Sequence, residues 1–312
     1  MRFAVIGLGG AGGYFGARLV EAGHDVTFIA RGDHLAAIRR SGLRVDSVNG
    51  DVVAIPAQVT DDPREVAVVD HVIMGVKAWQ VAEATRAVAP LVGPRTAILP
   101  LQNGVEAAEQ IASVIQGDHA LGGTARIISV REGPGHIRHV GADPTLEIGE
   151  LDGSRSPRVQ ALQAAFAQTR GVTIAVPPSI RAAMWAKFLF IASWSGVGAV
   201  TRAPVGILRS MPETRALLAG AMEEIAQIAR VTGIDLSPDV VPETMAYLDR
   251  LPAQGTASMQ RDIAEGKASE LDALSGAVTR LGLRMGVPTP IHAFLYHSLL
   301  PLARRARAQV EF

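Results

Sequence analysis

A chain of 312 residues, 48% of them apolar, has length enough for two domains, and its 30 basic and 30 acidic side chains leave no net charge to attract a polyanion. It contains no cysteine, which excludes disulfides, thiol nucleophiles and Cys-ligated metals. Basic patches interleaved with aromatics are absent, so no nucleic-acid partner is expected. No metal is expected either: His136 and His139 come closest to a ligand pair, but no carboxylate-flanked helical motif surrounds them and a surface strand suits them better.

In chain order, Phe3 to Ile6 is an apolar run suited to a buried parallel strand. Gly7, Leu8, Gly9, Gly10, Ala11 and Gly12 follow at the G-x-G-x-x-G spacing of a dinucleotide-binding turn. The first glycine allows the tight turn, the second lets backbone approach a pyrophosphate, and the third lets the helix starting near Gly10 pack against the strand. A glycine-rich turn in another α/β protein has the same spacing. The context is the one the motif needs, however: a helical run, the turn Ala22-Gly23-His24, and a second strand from Asp25 to Ile29. That strand ends at Arg31, where an NAD site usually carries Asp or Glu for the ribose 2′-hydroxyl. A guanidinium there suits a 2′-phosphate and favours NADP (NADPH); the alternative is a solvated Arg31 with Asp33 on the ribose.

A short helix (34–40) then precedes a hairpin (43–58) turning at Asn49-Gly50. Strands at 71–76 and 96–101 alternate with helices at 78–92 and 105–115. The loops holding Lys77 and Asn103 fall at strand carboxyl ends, the edge where open α/β sheets bind ligands. Asn103-Gly104 alone reads equally well as a turn. Strands at 120–130, 136–140 and 145–151, separated by turns at Gly133-Pro134-Gly135 and 141–144, suit a mostly antiparallel edge, and a helix (156–169) and strand (172–176) complete a domain of residues 1–178. Residues 179–312 read as all-helical, with helices at 180–200, 212–231, 238–251, 270–285 and 292–310. The fold class is therefore α/β, a Rossmann-type dinucleotide-binding domain followed by an all-helical C-terminal domain.

Arg2 before an apolar stretch imitates a signal peptide, but the nucleotide turn explains the glycines better than an h-region does, and the protein is expected in the cytoplasm. Residues 188–201 fall short of the ~20 a spanning helix needs, so a buried helix and no membrane association are expected.

The chain has only three lysines, Lys77, Lys187 and Lys267. Lys187 lies in an apolar helical run among Trp185, Phe188, Leu189, Phe190 and Ile191. A lysine buried there must be paired, neutralised or functional, and desolvation can bring an ammonium into the ~7–8 range where it protonates a carbonyl oxygen. Snorkelling to the surface is the bland alternative. Ser258, Asp262 and Glu270 lie among small polar residues between helical runs, a pattern that capping alone would explain.

These pieces together, Gly7 to Gly12, Arg31, Lys77-Ala78-Trp79-Gln80, Gln102-Asn103-Gly104, Trp185-Ala186-Lys187, Ser258-Met259-Gln260-Arg261-Asp262-Ile263 and Glu270, resemble the ketopantoate reductase (2-dehydropantoate 2-reductase) family over nearly the whole chain. The resemblance implies an NADP-dependent oxidoreductase of pantothenate biosynthesis that reduces a small 2-oxo acid, ketopantoate first among them. It further implies that the glycines and Arg31 hold NADPH, that Lys187 is the general acid, and that Glu270 positions cofactor and reacting hydroxyl. Asn103 and Ser258 would hold substrate or ribose, with Lys77 beside the ligands. One departure concerns the substrate: members specific for ketopantoate usually carry asparagines four and eight residues after the catalytic lysine, where this chain has Ile191 and Ser195. A paralogue acting on another 2-oxo acid is thus one alternative and a non-catalytic NADP-binding sensor a second; a homodimer is left open.

Overall fold

The first apolar run forms β1 (Arg2–Ile6), whose last four residues are buried, and the glycine turn leads into α1 (Gly10–Glu21). Next come β2 (Asp25–Ile29), α2 (Gly32–Ser41), β3 (Leu43–Ser47), β4 (Val52–Ala54), β5 (Gln58–Thr60), β6 (Val69–Met74), α3 (Val81–Val88) and β7 (Val92–Pro100). After α4 (Ala107–Ala112) the chain forms β8 (Gly122–Gly133), β9 (His136–Gly149), α5 (Pro157–Ala167) and β10 (Thr173–Ala175). The remainder is helical: α6 (Ile180–Thr201), α7 (Val205–Ser210), α8 (Pro212–Val231), α9 (Val240–Asp249), α10 (Ser258–Ala264), α11 (Ser275–Met285) and α12 (Pro290–Ala306). This computed structural model describes residues 1–55 and 58–308. They fall into two units, Met1–Gln102 with Ala107–Ala183, and Asn103–Glu106 with the chain from Met184 onward.

In the first unit, β5, β2, β1, β6 and β7 form a wholly parallel sheet in that order. The strand order reverses between β1 and β6, the switch point outside which doubly wound sheets bind ligands. Both faces are covered, as parallel sheets require. Phe3 and Val5 point into a cluster with Tyr14, Phe15 and Leu19 of α1 and Leu43, Val45 and Ile137 of a second sheet. Ala4 and Ile6 point the other way, to Val81 and Val88 of α3 and Ile111 of α4.

The expected antiparallel edge is instead a separate mixed sheet, β10-β9-β3-β4, with β8 antiparallel on β9. Residues 141–144 make no turn: β9 runs on through them, and the irregularity is absorbed by a register shift between Arg126 and Ile128 of β8. The hairpin around Asn49-Gly50 ends with β4, while Gln58–Thr60 crosses to pair in parallel with β2; residues 56 and 57 of the expected hairpin lie outside the described residues. His136 and His139 are strand residues, as expected, but His139 is buried, its ring 4.8 Å from that of Tyr14. α1 carries a fully buried Arg18, whose guanidinium donates to Glu21 at 2.7 Å and to the Gly50 carbonyl at 2.6 Å and lies 5.2 Å from the Tyr14 ring centroid.

α6 is 22 residues long and apolar enough to cross a membrane by composition, yet 61% of its most apolar window is buried within the protein, so it serves as a core helix. The expected helix at 270–285 starts at Ser275, and a 3₁₀ turn, Leu271–Ala273, holds Glu270 ahead of it. The expected end of the last helix at Val310 lies outside the described residues.

Candidate active site

At the carboxyl end of β1 three glycines meet. Gly7 has φ +85°, a conformation that favours glycine, and a Cβ on it would run into the backbone of Val76 just beyond β6. A Cβ on Gly12 would strike the Gly7 carbonyl; one on Gly75 would lie 2.5 Å from that oxygen and 2.8 Å from the Cα of Gly12. Gly75 N–H donates to the Ile6 carbonyl at 2.7 Å, and the Gln102 amide donates to the carbonyls of Met74 and Val76 at 2.8 Å each. Close backbone packing thus locks the ends of β1, β6 and β7 together. Gly9 is different: a side chain there would meet nothing within 4 Å.

Gly9 is also the N-cap of α1, whose first turn has no acidic side chain and no side-chain cap. The N–H groups of that turn have no partners within the helix and the local dipole is positive, so open space beside Gly9 fits a pyrophosphate. Leu8 faces inward and Ala11 packs on the core beneath. Sequence reasoning assigned Gly12 to helix–strand packing; its contacts are with the turn itself and with Gly75. Gly75 opens the loop that the sequence marks as a ligand-binding strand end, but its packing against Gly7 and Gly12 is not legible there.

Arg31 stands at the end of β2 as the N-cap of α2, its guanidinium 3.9 Å from Glu83, with side chains 72% and 70% exposed. Asp33 sits exposed in the first turn of α2. Lys77 follows Gly75 and Val76, opens the 3₁₀ turn Ala78–Gln80, and holds its ammonium 6.0 Å from the ring of Trp79. Its backbone N–H donates to Gln80 Oε1 at 3.2 Å.

The second unit gathers the remaining chemistry-bearing side chains. The Asn103 amide donates to Glu270 Oε2 at 3.1 Å, and Glu270 is buried. Gly104 (φ +103°) brings this segment against the Ala273 carbonyl, which would lie 2.9 Å from a Cβ. The loop carrying Glu270 is pinned from several sides. Arg280 donates to the Asp272 carbonyl at 2.9 Å and to Glu106 at 2.7 Å, Tyr296 to the Asp272 carboxylate at 2.8 Å, and Arg307 to that carboxylate at 2.9 Å and to the Ser269 carbonyl at 2.6 Å. Burial and the Asp272 hydrogen bond raise the Tyr296 phenol above its ordinary range.

Lys187 is half-buried on the largely buried α6, between the buried and the snorkelling lysine that the apolar run allows. At 100° per residue, Ile191 stands about 40° and Trp194 about 20° from its direction, and both are half-buried, whereas Ser195 stands about 80° away. Ser195 has no exposure, and its Oγ has no hydrogen-bond partner among the described residues. Ser258 is the exposed first residue of α10 rather than part of an inter-helical loop. That helix is held by Gln260, whose Oε1 would lie 2.6 Å from a Cβ on Gly198 of α6 and whose Nε2 donates to the Ala203 carbonyl at 3.0 Å. Asn103 and Glu270 are therefore joined directly, while Lys187 and Ser258 lie on two helices packed through Gln260. No three His, Asp or Glu side chains gather to hold a metal among the described residues.

A parallel sheet of this order, with a glycine cradle at its switch point, defines the dinucleotide-binding class of α/β fold, the one nicotinamide-dependent oxidoreductases use. Comparison with known proteins makes the class specific, and the chain belongs to the ketopantoate reductase family. The family description "Ketopantoate reductase PanE/ApbA" matches residues 3–153, and "Ketopantoate reductase PanE/ApbA C terminal" matches residues 179–302. An uncharacterized oxidoreductase of Bacillus subtilis, YkpB, is 29% identical over 299 residues, spanning 96% of this chain and 98% of the relative. The 2-dehydropantoate 2-reductase of Halobacterium salinarum is 31% identical over 306 residues, spanning 98% and 99%. The crystal structure of a PanE/ApbA family ketopantoate reductase from Ralstonia eutropha superposes with a TM-score of 0.88 at 30% identity, covering 98% of this chain and all of that one.

Proposed function

We propose that the protein uses NADPH to reduce the ketone of a small 2-oxo acid, with 2-dehydropantoate, giving pantoate as in pantothenate biosynthesis, the leading substrate and the cytoplasm its place of work. Residues 1–178 would serve the cofactor and residues 179–312 the substrate. The observation that carries the reading is the Asn103–Glu270 hydrogen bond, which sets a carboxylate and a neutral amide side by side in the unit that also holds Lys187. A sensor would need no such acid–base set.

Bound NADPH supplies the hydride. Gly7, Leu8, Gly9, Gly10, Ala11 and Gly12 would hold the pyrophosphate through backbone, and Arg31 would pair with the 2′-phosphate, with Lys77 beside the ligands. Lys187 protonates the carbonyl oxygen, Glu270 accepts from the new hydroxyl, and Asn103 and Ser258 hold substrate or ribose. Ile191 on the Lys187 face favours a second reading within the same chemistry, a 2-oxo acid whose substituent is apolar. The test is NADPH oxidation followed across a panel of 2-oxo acids including ketopantoate and 2-oxoisovalerate. Turnover of none of them by protein that binds NADPH would overturn the enzyme reading in favour of the sensor.

A further inference from the structure

Two arginines hold the 3₁₀ turn that carries Glu270. Arg307 straddles that residue: its Nη2 donates to the carbonyl of Ser269, just before it, at 2.6 Å, and its Nη1 to the carboxylate of Asp272, just beyond it, at 2.9 Å. Arg280 ties the same turn to the segment of Asn103, because its Nη2 donates both to the Asp272 carbonyl at 2.9 Å and to Glu106 Oε2 at 2.7 Å. Gly276, one turn before Arg280 on α11, leaves room for the arrangement: a Cβ there would lie 2.9 Å from the Tyr296 ring and 3.3 Å from Arg280 Nη1.

Stability does not account for the Arg280 contacts. Its side chain is 50% exposed, and an ion pair so open to water adds little to the folded state. What it fixes is geometry. Asn103 and Glu270 come from segments 167 positions apart, and Arg280 is bonded to both segments while their side chains meet at 3.1 Å. A displacement of about 1 Å between reacting groups can cost on the order of 100-fold in rate, so a contact worth little to folding can be worth much to turnover.

We infer that Arg280 and Arg307 are positioning residues of the reduction: Arg280, through Glu106, sets the separation of Asn103 and Glu270, and Arg307 sets the direction of Glu270 by fixing the chain on either side of it. This deepens the reading above and rests on the Asn103–Glu270 pair taking part in turnover. The two guanidinium groups work differently. Both bonds of Arg280 leave one nitrogen, which a lysine ammonium can imitate, whereas those of Arg307 leave two nitrogens of a planar fork, which it cannot.

The experiment measures kcat and KM, for the 2-oxo acid that the parent protein reduces fastest, in Arg280→Ala, Arg280→Lys, Arg307→Ala and Arg307→Lys, and repeats Arg280→Ala in an Asn103→Ala background. Each alanine variant should lower kcat on the order of 10- to 100-fold with KM kept within about threefold. Arg280→Lys should recover most of the loss and Arg307→Lys little of it. Where Asn103 is already alanine, Arg280→Ala should cost less than about threefold more, because the separation it sets no longer matters; a merely structural defect costs the same in both backgrounds. Equal losses in the two backgrounds, or lysine acting alike at the two positions, overturn the inference. If no 2-oxo acid is reduced, or Asn103→Ala is as active as the parent, the reading beneath it falls and takes the inference with it; an impaired Asn103→Ala beside fully active Arg280→Ala and Arg307→Ala leaves that reading standing and removes only the two arginines.

Discussion

Asn103 reaches Glu270 across 167 positions of chain, its amide nitrogen 3.1 Å from the carboxylate. Glu270 is buried, and this donor is one of the contacts its carboxyl makes away from water. Removing it in Asn103→Ala should cost about 1–3 kcal/mol of transition-state stabilisation, roughly a 5- to 150-fold fall in kcat/KM. Steady-state kinetics measure it, and unaltered kcat/KM would show that the pair has no part in turnover.

On the proposed reading, Arg31 sets cofactor preference. Its guanidinium is largely exposed and loosely paired with Glu83, so its bond to a 2′-phosphate should sit at the low end for a charge-assisted contact. Arg31→Ala should weaken NADPH binding by about 1.5 kcal/mol, roughly tenfold, with NADH nearly unaffected. Titration calorimetry with both cofactors measures the difference; equal losses would assign the selectivity elsewhere.

On the proposed reading Lys187 donates the proton, so its loss should act on chemistry and spare binding. In Lys187→Ala, kcat should fall by about 10²–10⁴ with NADPH affinity kept, because Lys187 lies outside the glycine cradle. Near-parental turnover in the purified variant would reject the role.

The same reading makes Ile191, and not Ser195, which the helix turns inward, the position that bears on substrate choice. With no partner for ketopantoate's hydroxyl at position 191, a cost of about 1–3 kcal/mol is expected relative to an asparagine there. 2-Oxoisovalerate should therefore compete well with ketopantoate, and Ile191→Asn should shift kcat/KM towards ketopantoate by about 5- to 150-fold. A parent enzyme already preferring ketopantoate by several orders of magnitude would make the substitution neutral variation.

Acid should destabilise the protein through His292. Complete burial lowers its pKa to about 4, and its Nε2–H donates to the Ala221 carbonyl at 3.1 Å in the neutral form. Unfolded chains protonate this group near its ordinary 6.5, so stability present above pH 6.5 is lost as pH falls towards 4, on the order of 3 kcal/mol in all. Glu224 works the other way: burial raises its carboxyl although it accepts from the N–H groups of Ile291 and His292, so folding favours its protonated form. Thermal melts between pH 7.5 and 4.5 should show Tm falling, with a flatter slope in His292→Gln. A slope identical in the variant would place the acid sensitivity at other groups.

Local signals were legible because local physics makes them. Gly7 declares its turn because its φ of +85° favours glycine, Gly12 because a Cβ there would strike the Gly7 carbonyl, and Asn49-Gly50 declares its hairpin through Gly50 at φ +94°. Partner choice was not legible. Gln58–Thr60 reads as the return strand of that hairpin, yet it joins β2, since a strand's pattern records that it is half-buried and not which neighbour it meets. Residues 141–144 have turn composition, but β9 carries them through with a register shift. In the candidate site, the apolar setting of Lys187 is legible in its neighbours in sequence, whereas the Gly75 contact and the Asn103–Glu270 bond depend on segments distant in sequence.

The carbonyl of Ser129 on β8 lies where a Cβ of Gly10 would be, the Ser129 hydroxyl donates to the Gly10 carbonyl at 3.0 Å, and Ile137 of β9 closes over Gly13. The nucleotide turn, which reads as the most local motif of the chain, is thus completed by residues made more than a hundred positions later. During synthesis all its glycines leave the ribosome early, but the hairpin that braces the start of α1 does not yet exist. Loop closure over that separation comes before the bracing contacts form, so nucleotide affinity should arise late in folding, as a property of the whole first unit.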